Sequence, residues 1–411
     1  MKIAVVKVGL LGHGGVRRVI ESWSRILAEG GHRVHVFAEA AERNRPLPPI
    51  PGVSVSEYTR ARGRWGAAFA APAAAARAVR DAADPTPFDV VLAHECHAVL
   101  PLKRLFPETP VLLTVHSPAV DENHLNNWTY AAGVVRRATY LPTRAYWHLT
   151  ERAALQAASC VHTLSDYTWR RLTARHPGPT RSTPWQRIPG TYDDARFALH
   201  GSRAAVRAQL GMRPEERIVL TVRRLIPRNG VDRILEAARV LRRSHPDVRF
   251  WIGGVGASLE VLRSRALQLG VEDVVRFLGF VPDETLPAHY QAADAFVLPT
   301  RELECFGLPV IEAMACGCPP LVMPDGGPAE ICAPFPGLVA ERNSGEAFVA
   351  LLRRLLAGGE VPAPQTLASH ATRTYSEAAN RSLVLGLVES VAGRGMRAQA
   401  RMGAVPGSSP A

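Results

Sequence analysis

Short apolar segments alternate with amphipathic helical segments along most of this chain, and this alternation constrains its fold. Residues 2–8 read as a first strand, and residues 16–29 follow as a helix with apolar positions every three or four residues. Such an alternation is typical of parallel sheets whose strands are joined by helical crossovers. Further strands are predicted in the first half at residues 34–38, 53–58, 90–93, 111–116 and 160–164.

A second α/β unit begins near residue 218. Its strands are predicted at residues 218–222, 249–253, 275–278 and 295–298, with helices at 231–244 and 259–269. The Ala/Arg/Pro-rich stretch 60–87 reads as a helix and a loose connection, and the segment from 393 to the end has the composition of a disordered tail. We therefore predict an α/β protein with two doubly wound domains, residues 1–200 and 201–392, and a ligand cleft between them.

The chain is strongly basic, with 49 Lys and Arg against 37 Asp and Glu in 411 residues. Lysine occurs only at positions 2, 7 and 103, so almost all of this charge is arginine, which also fits the coding bias of a GC-rich genome. The charge favours anionic partners such as nucleotide diphosphates or an acidic lipid surface. Nucleic acid is not expected, because the sequence has no lysine-rich or aromatic-interleaved basic stretch.

The six cysteines form no C-x-x-C pair, so neither a zinc site nor a disulfide framework is predicted. No apolar run reaches the length of a membrane-spanning helix, and the first residues make a poor signal peptide. These features predict a cytoplasmic protein with reduced thiols, with peripheral contact to an anionic membrane as an open alternative.

The segment 300–330 carries the strongest chemical signal. Glu304 and Glu312 stand eight positions apart, and the residues between them include Gly307 and Pro309. Pro309 suits the first turn of a helix, and Gly307 lets the backbone approach a ligand closely. A helix N-terminus in this position offers N–H groups to an anion. Two carboxylates beside a phosphate-ready helix predict a nucleotide-sugar site.

This segment resembles the Glu-x7-Glu signature of the retaining glycosyltransferases of family 4, which have the GT-B fold with two Rossmann-like domains. The resemblance implies that Glu304 lies near the transferred sugar and that Glu312 binds the donor ribose. It also implies that the backbone of Phe306, Gly307 and Leu308 meets the diphosphate. In this family the N-terminal domain binds the acceptor, the C-terminal domain binds the nucleotide sugar, and the last helix can pack back on the first domain.

The loop after residue 222 resembles the Gly-Arg-Leu-x-x-x-Lys-Gly pattern of the family, whose arginine and lysine bind the diphosphate. Arg224 matches the arginine, whereas Arg223 stands where glycine is usual and Asn229 stands where the lysine is expected. Arg228 is the candidate replacement because its guanidinium offers several donors. The sequence leaves open which of Arg223, Arg224 and Arg228 binds the diphosphate.

Three weaker signals fit the same family. The glycine turn at residues 12–15 opens the first helix, and the resemblance places Gly15 at the donor side. Gly254 belongs to a second glycine turn, and Leu278 lies where the family's chain passes the nucleotide base. The turn at residues 325–330 is interpreted as scaffold for the helix of the second glutamate.

Histidines follow two predicted strands, at the carboxyl edge where α/β sheets bind ligands. His116 matches a histidine that the family sets beside the donor sugar, and His94 is placed similarly. His97 is a weaker candidate. The stretch 121–150 is rich in aromatic and amide side chains, which suit a sugar-like acceptor and equally suit a helical packing surface.

The resemblance as a whole implies a metal-independent retaining glycosyltransferase that needs no cofactor beyond its nucleoside-diphosphate-sugar co-substrate. Its catalytic residues would be His116, Glu304, Arg224 and Arg228. The acceptor would carry a hydroxyl group, in a small molecule, a glycan or a lipid. Two alternatives remain: a GT-B epimerase or phosphorylase, and a sugar-nucleotide-binding protein without transferase activity, the latter suggested by Asn229.

Overall fold

The fold is described from a computed structural model of the full chain. The structure describes residues 1–8, 14–40, 47, 49–59, 67–83, 87–129 and 140–403. These residues form two compact units. The first contains residues 1–128, 133–189 and 380–411, and the second contains residues 129–132 and 190–379. The chain thus passes into the second unit after Pro189 and returns to the first at Asn380, whereas the sequence predicted a first domain of residues 1–200 and a second of 201–392.

The first unit is built on a parallel sheet of seven strands, in the order β3-β2-β1-β4-β5-β6-β7. The strands are β1 (Lys2–Val6), β2 (Arg33–Glu39), β3 (Val53–Tyr58), β4 (Val90–Ala93), β5 (Val111–Val115), β6 (Cys160–Thr163) and β7 (Trp185–Arg187). Residues of β1, β4 and β5 are buried along almost their whole length, as expected for a parallel sheet covered on both faces. All predicted strands of this half are present, and β7 is an additional one.

Helices connect these strands. They are α1 (Gly15–Glu29), α2 (Ala67–Ala83), α3 (Cys96–Leu105), α4 (Ala119–His124), a π-helical turn (Leu125–Thr129), α5 (Tyr140–Ala157), α6 (Asp166–Arg175) and α7 (Pro177–Ser182). Helix α1 buries Val19, Ile20, Trp23 and Ile26, whose spacing of three and four residues places them on one face. The long helix α5 was not predicted as a separate element.

The second unit has a parallel sheet of five strands, in the order β10-β9-β8-β11-β12. The strands are β8 (Arg217–Val222), β9 (Val248–Gly253), β10 (Val275–Gly279), β11 (Ala295–Leu298) and β12 (Pro320–Val322). The helices are α8 (Arg203–Gln209), a 3-10 turn (Pro227–Asn229), α9 (Asp232–Leu241), α10 (Leu259–Leu269), α11 (Leu286–Ala292), α12 (Leu308–Ala315), α13 (Gly327–Ile331), a 3-10 turn (Pro336–Leu338), α14 (Gly345–Leu356) and α15 (Pro364–Tyr375).

The last helix, α16 (Glu377–Gly403), begins in the second unit and continues into the first. Arg381 forms an ion pair with Glu29 at the end of α1, and His32 lies 3.4 Å from the carboxylate of Glu389. The helix extends to residue 403, so residues 393–403 are helical where the composition predicted a disordered tail. Residues 404–411 lie outside the described part of the chain.

Each sheet has one point at which the strand order reverses. In the first sheet this point lies between β1 and β4, and in the second it lies between β8 and β11. The loops that leave neighbouring strands diverge there and open a crevice at the carboxyl edge, where doubly wound folds bind ligands. The residues that follow these four strands are therefore the first candidates for function.

Candidate functional site

The switch point of the second sheet joins Arg223, which follows β8, to Glu304, which follows β11. The Arg223 guanidinium donates to the Glu304 carboxylate over 2.6 Å and to the Thr300 hydroxyl over 2.7 Å. The Thr300 hydroxyl also lies 3.4 Å from the same carboxylate oxygen of Glu304. These contacts hold Glu304 at the carboxyl edge of the sheet.

The Arg223 side chain is almost completely buried, whereas Glu304 keeps a quarter of its side chain exposed. Burial lowers the pKa of the Arg223 guanidinium, and the charge of Glu304 opposes that shift. A buried cation is costly unless it is paired, and the Glu304 carboxylate is the ion-pair partner of the Arg223 guanidinium. The sequence assigned Arg223 to donor binding, but here its guanidinium contacts protein groups and positions the carboxylate.

The other two arginines of the β8 loop are placed differently. Arg224 is exposed, and Arg228 is half-buried and donates to the Leu303 carbonyl over 2.9 Å. Leu303 has a φ of 59°, which is rare for a residue with a branched apolar side chain. The contact from Arg228 therefore reaches the backbone kink that immediately precedes Glu304.

Asn229 occupies the position of the expected lysine. Its side chain is buried, with the residue only 7% exposed, and its amide donates to the Arg224 carbonyl over 2.6 Å. Asn229 thus closes the turn that presents Arg224. Besides Arg223, which pairs with Glu304, the basic residues of this loop are Arg224 and Arg228.

Gly254 brings the end of β9 against the Arg223 backbone. Its φ is +123°, and a Cβ atom there would lie 1.8 Å from the Arg223 carbonyl oxygen. Only glycine fits this close approach. Leu278, the predicted neighbour of the base, is half-buried near the end of β10.

Helix α12 begins just after Glu304. Gly307 caps it with a φ of 98°, and Phe306 and Leu308 are buried. A Cβ atom on Gly190 would meet the ring of Phe306 at 2.7 Å and the side chain of Leu308 at 2.9 Å. Because both side chains are buried, the backbone is the part of this segment that a ligand could reach.

The glycine turn before α13 supports the same segment. The Gly327 N–H donates to the Glu304 carbonyl over 2.9 Å. A Cβ atom on Gly327 would lie 2.4 Å from the Cys305 carbonyl oxygen. The sequence interpreted this turn as scaffold for the helix of Glu312, and in the structure it contacts the backbone of Glu304 and Cys305.

Glu312 lies on α12 and is buried, with only 1% of its surface exposed. The Tyr290 hydroxyl donates to its carboxylate over 3.3 Å. The sequence assigned Glu312 to the donor ribose. In this structure its carboxylate lies within the packing between α11 and α12, so a contact with a ribose requires the side chain to turn outward.

The switch point of the first sheet carries a charged pair that the sequence did not reveal. Lys7, which follows β1, forms an ion pair with Glu95, which follows β4. The other oxygen of Glu95 accepts the Val8 N–H over 2.6 Å, and the Tyr58 hydroxyl donates to the Lys7 carbonyl over 3.0 Å. Burial lowers the pKa of Lys7 to about 8, against the opposing charges of Glu122 and Glu39. Charged residues at two strand ends were the available signal.

Three histidines follow or end the neighbouring strands. The Nδ1 atom of His94 lies 2.9 Å from Nε2 of His116, and their rings stack with centroids 5.2 Å apart. His162 in β6 lies 3.2 Å from the Thr114 hydroxyl and 2.9 Å from the Ile188 carbonyl. The structure thus brings His94 and His116 together at the ends of β4 and β5.

The remaining candidates of the first unit are placed as follows. Gly15 is the exposed first residue of α1, whereas His13 lies outside the described residues. His97 packs edge-on to Trp147, with ring centroids 5.4 Å apart. Trp147 therefore belongs to a packing surface. In the described part of the chain, no group of three or more His, Cys, Asp or Glu residues is arranged to hold a metal ion.

Comparison with known proteins identifies the family. Residues 13–196 match the family model described as Glycosyltransferase Family 4, and residues 202–373 match that of Glycosyl transferases group 1. A D-inositol 3-phosphate glycosyltransferase of Geodermatophilus obscurus is 30% identical over 370 residues, which cover 85% of this chain and 79% of that protein. This chain belongs to glycosyltransferase family 4.

A second relative is matched over a shorter region. The GDP-mannose-dependent alpha-(1-6)-phosphatidylinositol monomannoside mannosyltransferase of Mycolicibacterium smegmatis is 34% identical over 208 residues. That match covers 49% of this chain and 53% of the relative, so the chain spans about half the length of this curated relative. The activity and the substrates of this chain are therefore stated as proposals.

A solved structure shows the fold. Anabaena HepE in complex with UDP and glucose superposes with a TM-score of 0.73, at 18% sequence identity, over 95% of this chain and all of that one. The predicted GT-B fold with two Rossmann-like parallel-sheet domains is confirmed. The roles of the individual site residues stay predictions. Among the described residues, no helix is long and apolar enough to cross a membrane.

Proposed function

We propose that this protein is a retaining glycosyltransferase that moves a sugar from a nucleoside-diphosphate sugar to an acceptor hydroxyl, without a metal cofactor. The observation that carries the proposal is the pairing of Arg223 with Glu304 at the switch point of the second sheet. The basic loop with Arg224 and Arg228 lies beside that pair. A carboxylate and a basic loop at this edge suit a donor with a sugar and a diphosphate.

The proposed chemistry divides among these groups. Arg224, Arg228 and the backbone at the start of α12 stabilise the charge that develops on the departing diphosphate. Glu304 orients sugar hydroxyls or stabilises positive charge at the anomeric carbon. An oxygen of the leaving group takes the acceptor proton on the same face, so the bond to the acceptor forms with retention. The first unit supplies His116 and binds the acceptor.

Names of similar proteins narrow the first substrates to test. One relative is named for GDP-mannose, another for D-inositol 3-phosphate, and HepE was crystallised with UDP and glucose. A thermal-shift panel with GDP-mannose, UDP-glucose and ADP-glucose would identify the donor. Mass spectrometry with inositol phosphate, phosphatidylinositol and sugar acceptors would then detect transfer.

The test of this function uses Glu304→Gln and Arg224→Ala. Both variants should lose transfer, and the anomeric configuration of the product should match that of the donor. Full transfer activity in both variants would contradict the assignment, and loss of activity with EDTA would contradict metal independence. Tight donor binding without transfer or hydrolysis would favour the alternative of a binding protein, which the replacement of the family's lysine by Asn229 suggests.

We also propose that the first unit makes a peripheral contact with anionic membranes through α5. Leu141 and Leu149 on this helix are 70% and 65% exposed, two turns apart. Arg144 and Arg152 are exposed three residues further along and so flank the two leucines on the helix surface. An apolar stripe beside cations suits the interface of an acidic bilayer.

The arginines around α5 are only partly neutralised. Residues 140–189 contain seven arginines, of which Arg171 and Arg175 pair with Asp121 and Arg187 pairs with Asp166. Glu151 is buried against His176 at 2.9 Å, and Asp166 lies 3.4 Å from Arg187. Neither carboxylate offsets Arg144 or Arg152. Each basic residue near an anionic surface contributes about 1 kcal/mol.

Co-sedimentation with vesicles tests the contact. The wild-type chain should bind vesicles of phosphatidylglycerol and phosphatidylcholine and should not bind pure phosphatidylcholine. Arg144→Glu/Arg152→Glu should weaken that binding, whereas Arg243→Glu/Arg263→Glu in the second unit serves as the control of equal charge change. Equal binding by the two double variants would rule out α5 as the contact surface.

A further inference from the structure

His94 and His116 form a stacked, hydrogen-bonded pair across the ends of β4 and β5. Nδ1 of His94 faces Nε2 of His116 at 2.9 Å, and the ring planes differ by 18°. The His94 backbone is fixed by its N–H, which donates to the Val6 carbonyl of β1 over 3.1 Å. Only 2% of His94 is exposed, while His116 is half-buried. His94 therefore belongs to the interior, and His116 reaches the surface.

One proton lies between the two facing nitrogen atoms, and burial decides which ring carries it. Nε2 of His94 is buried and has no hydrogen-bond partner among the described residues. If His116 donated to His94, the proton of a neutral His94 would sit on this Nε2 as a buried N–H without an acceptor. If His94 donates from Nδ1, its Nε2 carries only a lone pair. Orphaned buried N–H groups are the rarer case in proteins.

We propose that His94 is a positioning residue that donates its Nδ1 proton to His116 and thereby holds His116 in the Nδ1–H tautomer. A neutral imidazole has one donor nitrogen and one acceptor nitrogen. With Nε2 of His116 accepting from His94, the His116 proton must sit on Nδ1. The second nitrogen of His116 is then an uncharged N–H donor.

The neighbouring groups keep both rings neutral. Burial lowers the pKa of His116 to about 3, and the charges of His162 and Lys7 act in the same direction. Burial also lowers the pKa of His94 well below its usual range. His162 is itself held by the Thr114 hydroxyl and the Ile188 carbonyl. A second proton on either ring would add an imidazolium cation near Lys7 at a place where burial already disfavours charge, which is costly.

The consequence for catalysis rests on the proposed function. His116 can donate a hydrogen bond from Nδ1 to a hydroxyl or a ring oxygen of a substrate. It cannot act as a general base, because Nδ1 already carries a proton and the Nε2 lone pair accepts from His94. His94 is almost completely buried and therefore acts only through His116.

Long-range 1H–15N NMR spectra of the full chain with 15N-labelled histidine test the tautomer directly. His162 is an internal standard, since its Nε2 lies 2.9 Å from a backbone carbonyl and must carry the proton. We expect His116 to show the opposite pattern, with its proton on Nδ1, at pH 7 and at pH 5. An Nε2–H pattern for His116 in the wild-type protein would overturn the proposal.

Two substitutions of His94 separate positioning from packing. In His94→Asn the side-chain amide can still donate from the position of Nδ1, and the His116 pattern should persist. In His94→Leu the donor is lost, and the His116 proton should move to Nε2 or exchange between both nitrogens. An unchanged His116 signal in a folded His94→Leu protein would also overturn the proposal. If His94→Leu does not fold, the spectra of the wild-type protein and of His94→Asn still decide which nitrogen of His116 carries the proton.

Activity gives a separate readout. Turnover of GDP-mannose or UDP-glucose, whichever the wild-type protein uses, should fall about tenfold in His94→Leu and stay within about threefold in His94→Asn, the range of one hydrogen bond. His245→Asn, beside Ser244 in the second unit, is the control and should retain full turnover. If no donor is turned over at all, the proposed function fails, while the NMR spectra still decide the tautomer.

Discussion

The Arg223 guanidinium lies 2.6 Å from the Glu304 carboxylate and so links the ends of β8 and β11. Eighty-one residues separate the two in sequence. Arg223 stands where the family pattern has glycine, which cannot make this contact. Arg223 therefore gives this chain a way of orienting Glu304 that the family pattern does not include.

The first prediction concerns this pair. Arg223→Met should lower donor turnover about 10- to 100-fold, because hydrogen bonds to charged groups contribute about 1.5–3 kcal/mol. The loss should appear mainly in kcat if Glu304 acts in the transition state. Arg301→Met is the control, since Arg301 also pairs with a carboxylate, Asp232, but more exposed. Equal losses in the two variants would contradict the special role of Arg223.

The second prediction concerns the diphosphate. Arg224 is exposed and Asn229 is buried in the turn beneath it. Arg224→Gln should weaken binding of the matching nucleoside diphosphate about tenfold in calorimetry, with a smaller dependence on salt. Asn229→Lys should not strengthen binding, because the lysine would lose the bond to the Arg224 carbonyl and bury a charge. Tighter binding by Asn229→Lys would contradict this reading of the loop.

Much of the fold could be predicted because parallel strands are apolar on both faces. The runs around Val5, Leu112 and Val219 are continuous and short, and the structure confirms their strands. Strand β12 was missed because it is only three residues long and begins with Pro320, at a position that tolerates proline. Helix α5 was anticipated only as a helical packing surface within residues 121–150, without bounds, because its aromatic and basic residues make its apolar face hard to recognise.

The sequence predicted only those parts of the site whose residues lie close together along the chain. The Glu304 segment and the arginine loop carry their signal within a few residues. The pairing of Lys7 with Glu95 joins residues 88 apart, and the burial of Asn229 and Glu312 depends on packing. Sequence position alone does not show whether a polar side chain faces a ligand or the interior.

A third prediction concerns pH and stability. Burial lowers the pKa of His97 to about 4, while the unfolded chain has the ordinary value near 6.5. The unfolded state then binds one more proton as pH falls from about 6.5 to about 4. Stability should fall in this window by about 1.4 kcal/mol per pH unit for this histidine, about 3 kcal/mol in total.

Urea unfolding between pH 4 and pH 7 measures this effect. His97→Gln should show a shallower loss of stability on acidification than the wild-type protein. Carboxylates titrate in both proteins, so the difference between the two curves isolates His97. Parallel curves would show that His97 is not held neutral by burial.

A fourth prediction concerns the thiols. All six cysteines are buried and unpaired by disulfides. Burial raises the pKa of Cys316 to about 12, and it raises the pKa of Cys96, Cys318 and Cys332 as well. Because the thiolate is the reactive form, a thiol reagent at pH 8 should react with none of these cysteines rapidly in the native state. Six thiols should react once guanidinium unfolds the chain.

The last prediction compares two glycines. One has only a positive φ, and the other also lies against neighbouring backbone. Gly211 has a φ of +68° with nothing within 4 Å of a Cβ position, whereas Gly254 has a φ of +123° with the Arg223 carbonyl oxygen at 1.8 Å. Gly211→Ala should cost about 1–2 kcal/mol, the price of left-handed backbone for an L-residue. Gly254→Ala carries a larger backbone strain, because a φ of +123° lies outside the left-handed region that L-residues can adopt, and it also creates a clash with backbone that no side-chain rotation can relieve.

Gly254→Ala should therefore displace Arg223 from Glu304 or destabilise the second unit. We expect thermal unfolding of Gly254→Ala at a clearly lower temperature than that of Gly211→Ala, together with loss of nucleoside-diphosphate binding. Gly211→Ala should keep wild-type binding, because α8 and its end lie in sequence well before the β8 loop. Equal unfolding temperatures and intact binding in both variants would show that the turn at Gly254 can move away from Arg223. In that case Arg223 would be held by its own contacts with Thr300 and Glu304 and not by the backbone that follows β9.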